Sequence, residues 1–122
     1  METTQTLTRQ YAVIKFGKYV FFPQKRRLML GQQSTELTER ENGLLTLFCN
    51  TANSLLPRHD ALTSLWHNAT YSTARTMDVY VSKLRKLLKD DPEIEILNVH
   101  GKGFKMLVPH IEAIPDDIIA GA

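Results

Sequence analysis

The sequence predicts an α+β fold in which an N-terminal antiparallel sheet, three helices and a C-terminal β-hairpin follow one another. Three observations predict it. Across residues 11–30, short β-branched and aromatic runs alternate with Gly17, Pro23-Gln24 and Gly31-Gln32. Across 38–89, apolar residues recur at helical spacing, interrupted at Pro57 and at 67–71. Two strand-like runs, 93–99 and 104–108, then flank His100-Gly101-Lys102-Gly103. The 122 residues suffice for one domain of ordinary size, and a hydrophobic content of 43% supplies its core.

Residues 1–10 are polar and rich in Thr and Gln, which predicts a linker remnant or disordered lead-in before a domain spanning 11–108. The sheet begins with Tyr11-Ala12-Val13-Ile14-Lys15-Phe16, continues with Lys18-Tyr19-Val20-Phe21-Phe22 and returns with Arg27-Leu28-Met29-Leu30. Thr38-Glu39-Arg40-Glu41 is a capping box that opens the first helix, because the Thr38 hydroxyl and the Glu41 carboxylate each satisfy an amide at the other's position. Leu44, Leu45, Phe48, Ala52 and Leu55 follow at helical spacing. Gly43 within this helix costs up to about 1 kcal/mol, for which close packing is the one available account. Pro57 ends the pattern, and a short second helix is expected from about Arg58 to Trp66. A polar loop, 67–71, precedes a third helix over 73–89, capped by Ser72 or Thr73. The wing-like hairpin spans 93–108, and Gly101 and Gly103 supply the positive φ that its tight turn demands. From 109 to 122 the tail is acidic with scattered isoleucines and is expected to fray or pack loosely. Two short helices around a loop, then a longer helix and a hairpin, are the layout of a winged helix-turn-helix.

Composition narrows the function classes. A single cysteine, Cys49, cannot close an internal disulfide, and its place in an apolar helical pattern marks a buried thiol in a reducing compartment. No apolar run approaches membrane-spanning length, and the first residues lack the layout of a signal peptide. A cytoplasmic protein is expected, and the Asn68-Ala69-Thr70 sequon is then chance. His59, His67, His100 and His110 show no metal-ligand spacing, and no Gly-rich phosphate loop joins a strand to a helix. Neither an enzyme nor a cofactor is expected. The formal charge is +2, but residues 9–108 hold all 15 basic residues and 9 of the 13 acidic ones, a balance of +6. The body is basic and the ends are acidic.

That charge gathers on the third helix. At 100° per residue, Met77, Tyr80, Val81, Leu84, Leu87 and Leu88 form a core-facing stripe. The opposite face carries Arg75, Thr76, Val79, Ser82, Lys83, Lys86 and Lys89. A helix fits the major groove of B-DNA, and Arg75 lies in the first turn, where groove-inserted helices place base-reading residues. Its guanidinium can donate two bonds to guanine, a contact worth roughly 1–3 kcal/mol in discrimination. Val79 gains nothing from water and suits a thymine methyl, whereas Lys83, Lys86 and Lys89 suit phosphates. Asp78 and Arg85 lie to one side, where an ion pair between them is expected. His100, Lys102 and Lys105 surround the hairpin turn, within reach of an adjacent minor groove or its phosphates.

Arg75-Thr76-Met77-Asp78-Val79-Tyr80-Val81-Ser82-Lys83-Leu84-Arg85-Lys86-Leu87, followed by Val99-His100-Gly101-Lys102-Gly103-Phe104-Lys105, strongly resembles the effector domain of OmpR/PhoB-type response regulators. Leu37-Thr38-Glu39-Arg40-Glu41 and Leu65-Trp66 match the family's first two helices, so the resemblance covers about residues 13–108. It implies a four-stranded N-terminal sheet, a three-helix core and a wing. It also implies sequence-specific binding of double-stranded promoter DNA, by a domain that is monomeric when free and paired head to tail on direct repeats. Carried over residue by residue, it places Arg75, Val79, Ser82 and Lys83 at base-reading or groove positions and Arg85 near the backbone. Asn98, His100 and Lys102 fall on wing positions that touch phosphate or minor groove. Trp66 and Tyr80 match backbone contacts, although plain core packing is the simpler expectation for Trp66. The loop at His67, Asn68, Thr70 and Tyr71 corresponds to the segment that meets RNA polymerase in activating members.

Some positions depart from the family. Ser82 stands where many members carry Arg, which alters base preference. His100 replaces Arg or Trp, which weakens minor-groove binding or makes it pH-sensitive. Pro57 takes the place of a helix-capping Ser, and Met77 for Val is a core exchange. The family's receiver domain needs about as many residues again and an acidic phosphoacceptor cluster, which this sequence does not contain. An effector domain separated from its receiver is therefore expected, with a standalone regulator as the alternative. The rival function is a winged helix that only holds protein partners, through the 68–71 loop or the isoleucine-bearing tail.

Overall fold

The computed structural model describes residues 12–115. The polar lead-in 1–10, Tyr11 and the end of the tail, with Asp116, Asp117, Ile118 and Ile119, lie outside the described residues. Four strands come first: β1 (Ala12–Phe16), β2 (Tyr19–Phe22), β3 (Arg27–Leu30) and β4 (Gln33–Glu36). Helix α1 (Glu39–Asn50), strand β5 (Leu55–Pro57), and helices α2 (Arg58–Trp66) and α3 (Tyr71–Leu87) follow. Strands β6 (Glu95–Val99), β7 (Gly103–Leu107) and β8 (Ile111–Pro115) complete the described order.

Two antiparallel sheets result, one ordered β4-β3-β2-β1-β8 and the other β5-β7-β6. Phe16, Tyr19, Phe21 and Leu28 project from the first sheet into one core with Leu44, Leu45 and Phe48 of α1 and Met77, Val81 and Leu84 of α3. Phe104 and Met106 of the second sheet close that core. Helix α3 is thus held from behind by both sheets and by α1.

The capping box of α1 forms as expected: the Thr38 hydroxyl accepts from the Glu41 amide at 3.2 Å, and the Glu41 carboxylate accepts from the Thr38 amide at 2.8 Å. Gly43 has its account too. A Cβ there would lie 2.7 Å from Leu65 Cδ2, so the missing side chain lets α2 approach α1 closely. Cys49 is buried, and burial pushes its thiol up to about 12, as suits an inert core residue. Asp91, 2% exposed, accepts from the Lys18 amide at 2.8 Å and ties the β1–β2 turn to the segment after α3.

Three expectations are corrected. Residues 109–115 do not fray: Ile111–Pro115 pairs along β1 with Val13 opposite Ile114, and the Gly17 amide donates to the His110 carbonyl at 3.0 Å, while the rest of the tail lies outside the described residues. The edge of β1 would otherwise expose unpaired amides and carbonyls, and β8 satisfies them. Leu55 leaves the helical pattern, because α1 stops at Asn50 and the chain turns through Asn53 at φ 63° into β5, where Leu56 faces Phe104. Helix α3 begins at Tyr71, not at 73. Its cap is Thr70, whose hydroxyl accepts from the Thr73 amide at 3.1 Å while the Thr73 hydroxyl accepts from the Thr70 amide at 2.9 Å. At the other end α3 stops at Leu87, two residues before the expected Lys89.

Candidate nucleic-acid interface

Helix α3 presents two faces of opposite character. Met77 and Leu84 are fully buried and Val81 nearly so, while Arg75, Thr76, Ser82, Lys83 and Lys86 are exposed, as is Lys89 just beyond the helix end. Val79 sits among these cations with 54% of its surface in solvent. Tyr80 and Leu87, placed in the core stripe by periodicity, are half-buried at its margin. Both still pack against the core cluster.

The first turn of α3 carries an arrangement hidden from periodicity. Tyr71, 78% exposed, lies under Arg75: the guanidinium carbon is 5.8 Å from the ring centroid, and Nη1 donates to the Tyr71 hydroxyl at 3.3 Å. Tyr71 therefore belongs to the helix and to Arg75. Of the expected loop, His67, with φ 65°, closes α2, and the Asn68 backbone carbonyl accepts from the Thr73 hydroxyl at 3.2 Å. The Thr76 hydroxyl donates to the Ser72 carbonyl at 3.1 Å.

On one flank of α3 stands the wing. Its tip turns at Gly101, φ 71°, and the Lys102 carbonyl accepts from the Arg58 amide at 3.0 Å. Gly103 packs so tightly on β5 that a Cβ would collide with the Leu56 carbonyl and sit 2.9 Å from the Arg58 nitrogen. Close approach, rather than turn conformation alone, demands glycine there. Arg85 reaches across from α3, donating to the Ile96 carbonyl through Nε at 3.0 Å and Nη2 at 2.7 Å, with Asn98 Oδ1 at 3.1 Å from Nη2. The expected Asp78–Arg85 pair does not form. Asp78 instead pairs with Arg58 at 2.8 Å, and the Arg58 guanidinium covers the Phe104 ring at 5.4 Å. The physical reason is proximity across the fold: the wing carbonyl and α2 lie nearer to these two side chains than they lie to each other. Ser82, Arg85, Asn98, His100 and Lys102 line the open cleft between helix and wing. Lys105 stands in mid-strand on β7, opposite Leu55 and Leu97, away from the tip.

The other flank is aromatic. Lys83 Nζ lies 4.9 Å from the centroid of the Tyr80 ring, the Tyr80 and Trp66 rings are 5.9 Å apart, and the Arg40 guanidinium covers Trp66 at 4.7 Å. Trp66 is half-buried, so it serves both packing and surface. Arg58 and Arg40 were not among the candidate residues. Their partners come from distant parts of the chain, and no local pattern marks them.

Comparison with known proteins places this geometry. Residues 31–106 match the family model described as "Transcriptional regulatory protein, C terminal". The transcriptional regulatory protein RprY of Bacteroides fragilis is 50% identical over 101 residues, which cover 83% of this chain and 43% of that protein. SrrA of Staphylococcus aureus is 30% identical, with 79% and 41% covered. The chain thus spans under half the length of these relatives. Among solved structures, the DNA-binding domain of Escherichia coli CadC superposes with a TM-score of 0.70 at 25% identity, covering 83% of this chain and 95% of that one. The Klebsiella pneumoniae RstA DNA-binding domain, solved in complex with the RstA box, superposes with a TM-score of 0.67 at 29% identity, covering 80% and 98%.

Proposed function

This chain belongs to the OmpR/PhoB-type family of transcriptional regulatory protein C-terminal domains, and on that footing we propose that it is the sequence-specific DNA-binding effector domain of a two-component response regulator. One observation carries the reading: Val79 lies exposed at the centre of a face otherwise made of Arg75, Thr76, Ser82, Lys83 and Lys86. With over half of its surface in solvent the valine contributes little to the core, and in a major groove it meets a thymine methyl. Arg75, in the first turn and supported by Tyr71, reads a guanine, while Lys83 and Lys86 meet phosphates. The wing, with Asn98, His100 and Lys102 at its exposed end, takes the minor groove or its backbone. Arg85 acts mainly by fixing the wing to the helix. The complex of the RstA domain with its box supports DNA as the partner here.

The finer reading follows the family. The domain pairs head to tail on direct repeats of promoter DNA, the turn between α2 and α3 (His67, Asn68 and Thr70, with Tyr71 at the start of α3) meets RNA polymerase, a receiver domain controls it in the full-length protein, and it works in the cytoplasm. A role confined to protein partners has no comparable observation in its favour.

Sites selected from a random DNA pool, then titrated in a retardation assay, test the proposal. Arg75→Ala is expected to lose roughly 1–3 kcal/mol of preference at one guanine, while Lys86→Ala weakens all sequences alike and makes the salt dependence shallower by about 1. Affinity indifferent both to Arg75→Ala and to salt between about 50 and 200 mM would overturn it.

A further inference from the structure

The DNA contacts considered so far lie on α3 and the wing, and the wing occupies only one side of α3. At 100° per residue, Asp78 and Arg85 point to the wing side, whereas Tyr80 lies on the opposite side of the basic face. A helix seated in a major groove has a phosphate strand along each margin. The margin away from the wing is formed by the row Arg40, Trp66, Tyr80 and Lys83, which crosses from α1 over α2 to α3. Lys83, at one end, is already on the basic face. Arg40 is the cation at the other end.

We propose that Arg40 is a phosphate contact for duplex DNA, extending the interface to α1 on the side of the recognition helix opposite the wing. The proposal rests on the DNA-binding reading above, and three features support it. The guanidinium lies against Trp66 at 4.7 Å, and a cation–π contact orients a charge without neutralising it. Arginine's five in-plane donors suit bidentate binding of phosphate, and stacking on a ring leaves outward-facing donors available. Among the described residues the ion pairs are Arg58–Asp78 and His110–Glu112, so Arg40 has no carboxylate partner there. Glu41, its neighbour in sequence, is committed to the Thr38 cap. The aromatic pair between the two cations acts as a spacer that holds Arg40 and Lys83 along one edge of the groove.

A phosphate contact is independent of sequence, so a fluorescein-labelled duplex of mixed sequence is a sufficient probe. Binding is measured by anisotropy across a salt series for the wild type, Arg40→Gln, Arg40→Lys and the distant charge control Lys15→Gln, with each variant's thermal unfolding checked. The expected result is a log–log salt slope shallower by about 1 for Arg40→Gln, restored by Arg40→Lys and unaltered by Lys15→Gln. A slope equal to that of the wild type in Arg40→Gln, or an equal loss in Lys15→Gln, overturns the role of Arg40 while leaving DNA binding intact. Absence of salt-dependent binding by the wild type overturns both this inference and the function on which it rests.

Discussion

The two flanks of α3 are built from different physics. The wing flank is held by directional bonds and a backbone approach: Arg85 to the Ile96 carbonyl, Arg58 to Asp78, and Gly103 against Leu56. The opposite flank is held by faces of rings and cations: Arg40 on Trp66, Trp66 beside Tyr80, and Tyr80 under Lys83. Hydrogen bonds to fixed carbonyls weaken steeply when donor and acceptor shift or misalign. A cation is attracted to a ring face anywhere within about 6 Å of its centroid, a wider range than a hydrogen bond allows. The difference teaches that wing position is specified closely, while the far margin sets charge and spacing with more tolerance. Variants on the wing flank should therefore cost more, and should cost it in both stability and binding.

The largest effect is expected at Gly103. A methyl group there has no room between β7 and the Leu56 carbonyl, so Gly103→Ala must part β5 from β7. Overpacking of this kind costs typically 1–3 kcal/mol, and backbone on the other side of the clash puts this case near about 3. Gly101→Ala meets nothing within 4 Å, and its penalty comes only from φ 71°, about 1–2 kcal/mol. Urea unfolding of both variants measures the gap. Equal losses would mean that the wing is positioned by its turn and not by its seat on β5.

How much of this was legible in the sequence differs in the same way between local and distant partnerships. The Thr38 cap, the start of α2 after Pro57 and the centre of the α3 stripe at Met77, Val81 and Leu84 are all written within a few neighbouring residues, and each appears where the spacing puts it. Strand β4, Gln33–Glu36, has no apolar alternation and was implied only by resemblance to the family. Strands β5 and β8 exist because β7 and β1 offer edges to pair with, a fact that no short window contains. The Thr70–Thr73 cap escaped because its second member is Thr where the capping-box pattern has Glu or Gln. At the candidate site, the exposed row from Arg75 to Lys86 follows from helical periodicity alone. The braces Arg58–Asp78 and Arg85–Ile96 do not, since each joins residues more than ten positions apart.

A middle-sized effect is expected at Arg85. Removing its guanidinium leaves the Ile96 carbonyl without the donors at 2.7 and 3.0 Å. Hydrogen bonds to charged groups contribute roughly 1.5–3 kcal/mol when buried, and the exposure of Arg85 lowers the expected loss to about 1–2. The sharper consequence is coupling. If Arg85 holds the wing, Lys102→Ala should weaken DNA binding less in an Arg85→Met background than in the wild type. Lys86→Ala, whose contact does not depend on the wing, should weaken both backgrounds alike. Strict additivity of Arg85→Met and Lys102→Ala would show that the wing keeps its place without this brace.

The smallest effect is expected on the aromatic flank. Trp66→Phe keeps a ring between α2 and α3 but shortens the platform under Arg40, which lies 4.7 Å above the indole. Cation–π contacts at exposed sites are worth about 0.5–1 kcal/mol, and the phenyl ring retains part of that. Unfolding stability should fall by about 1 kcal/mol or less, and duplex affinity should change without loss of base preference, because neither Trp66 nor Arg40 lies on the face that carries Arg75 and Val79. A loss of preference at the guanine assigned to Arg75 would reverse the ranking of the two flanks. The orientation of α3 in the groove would then depend on its aromatic side, and the wing's directional bonds would be following the helix, not setting it.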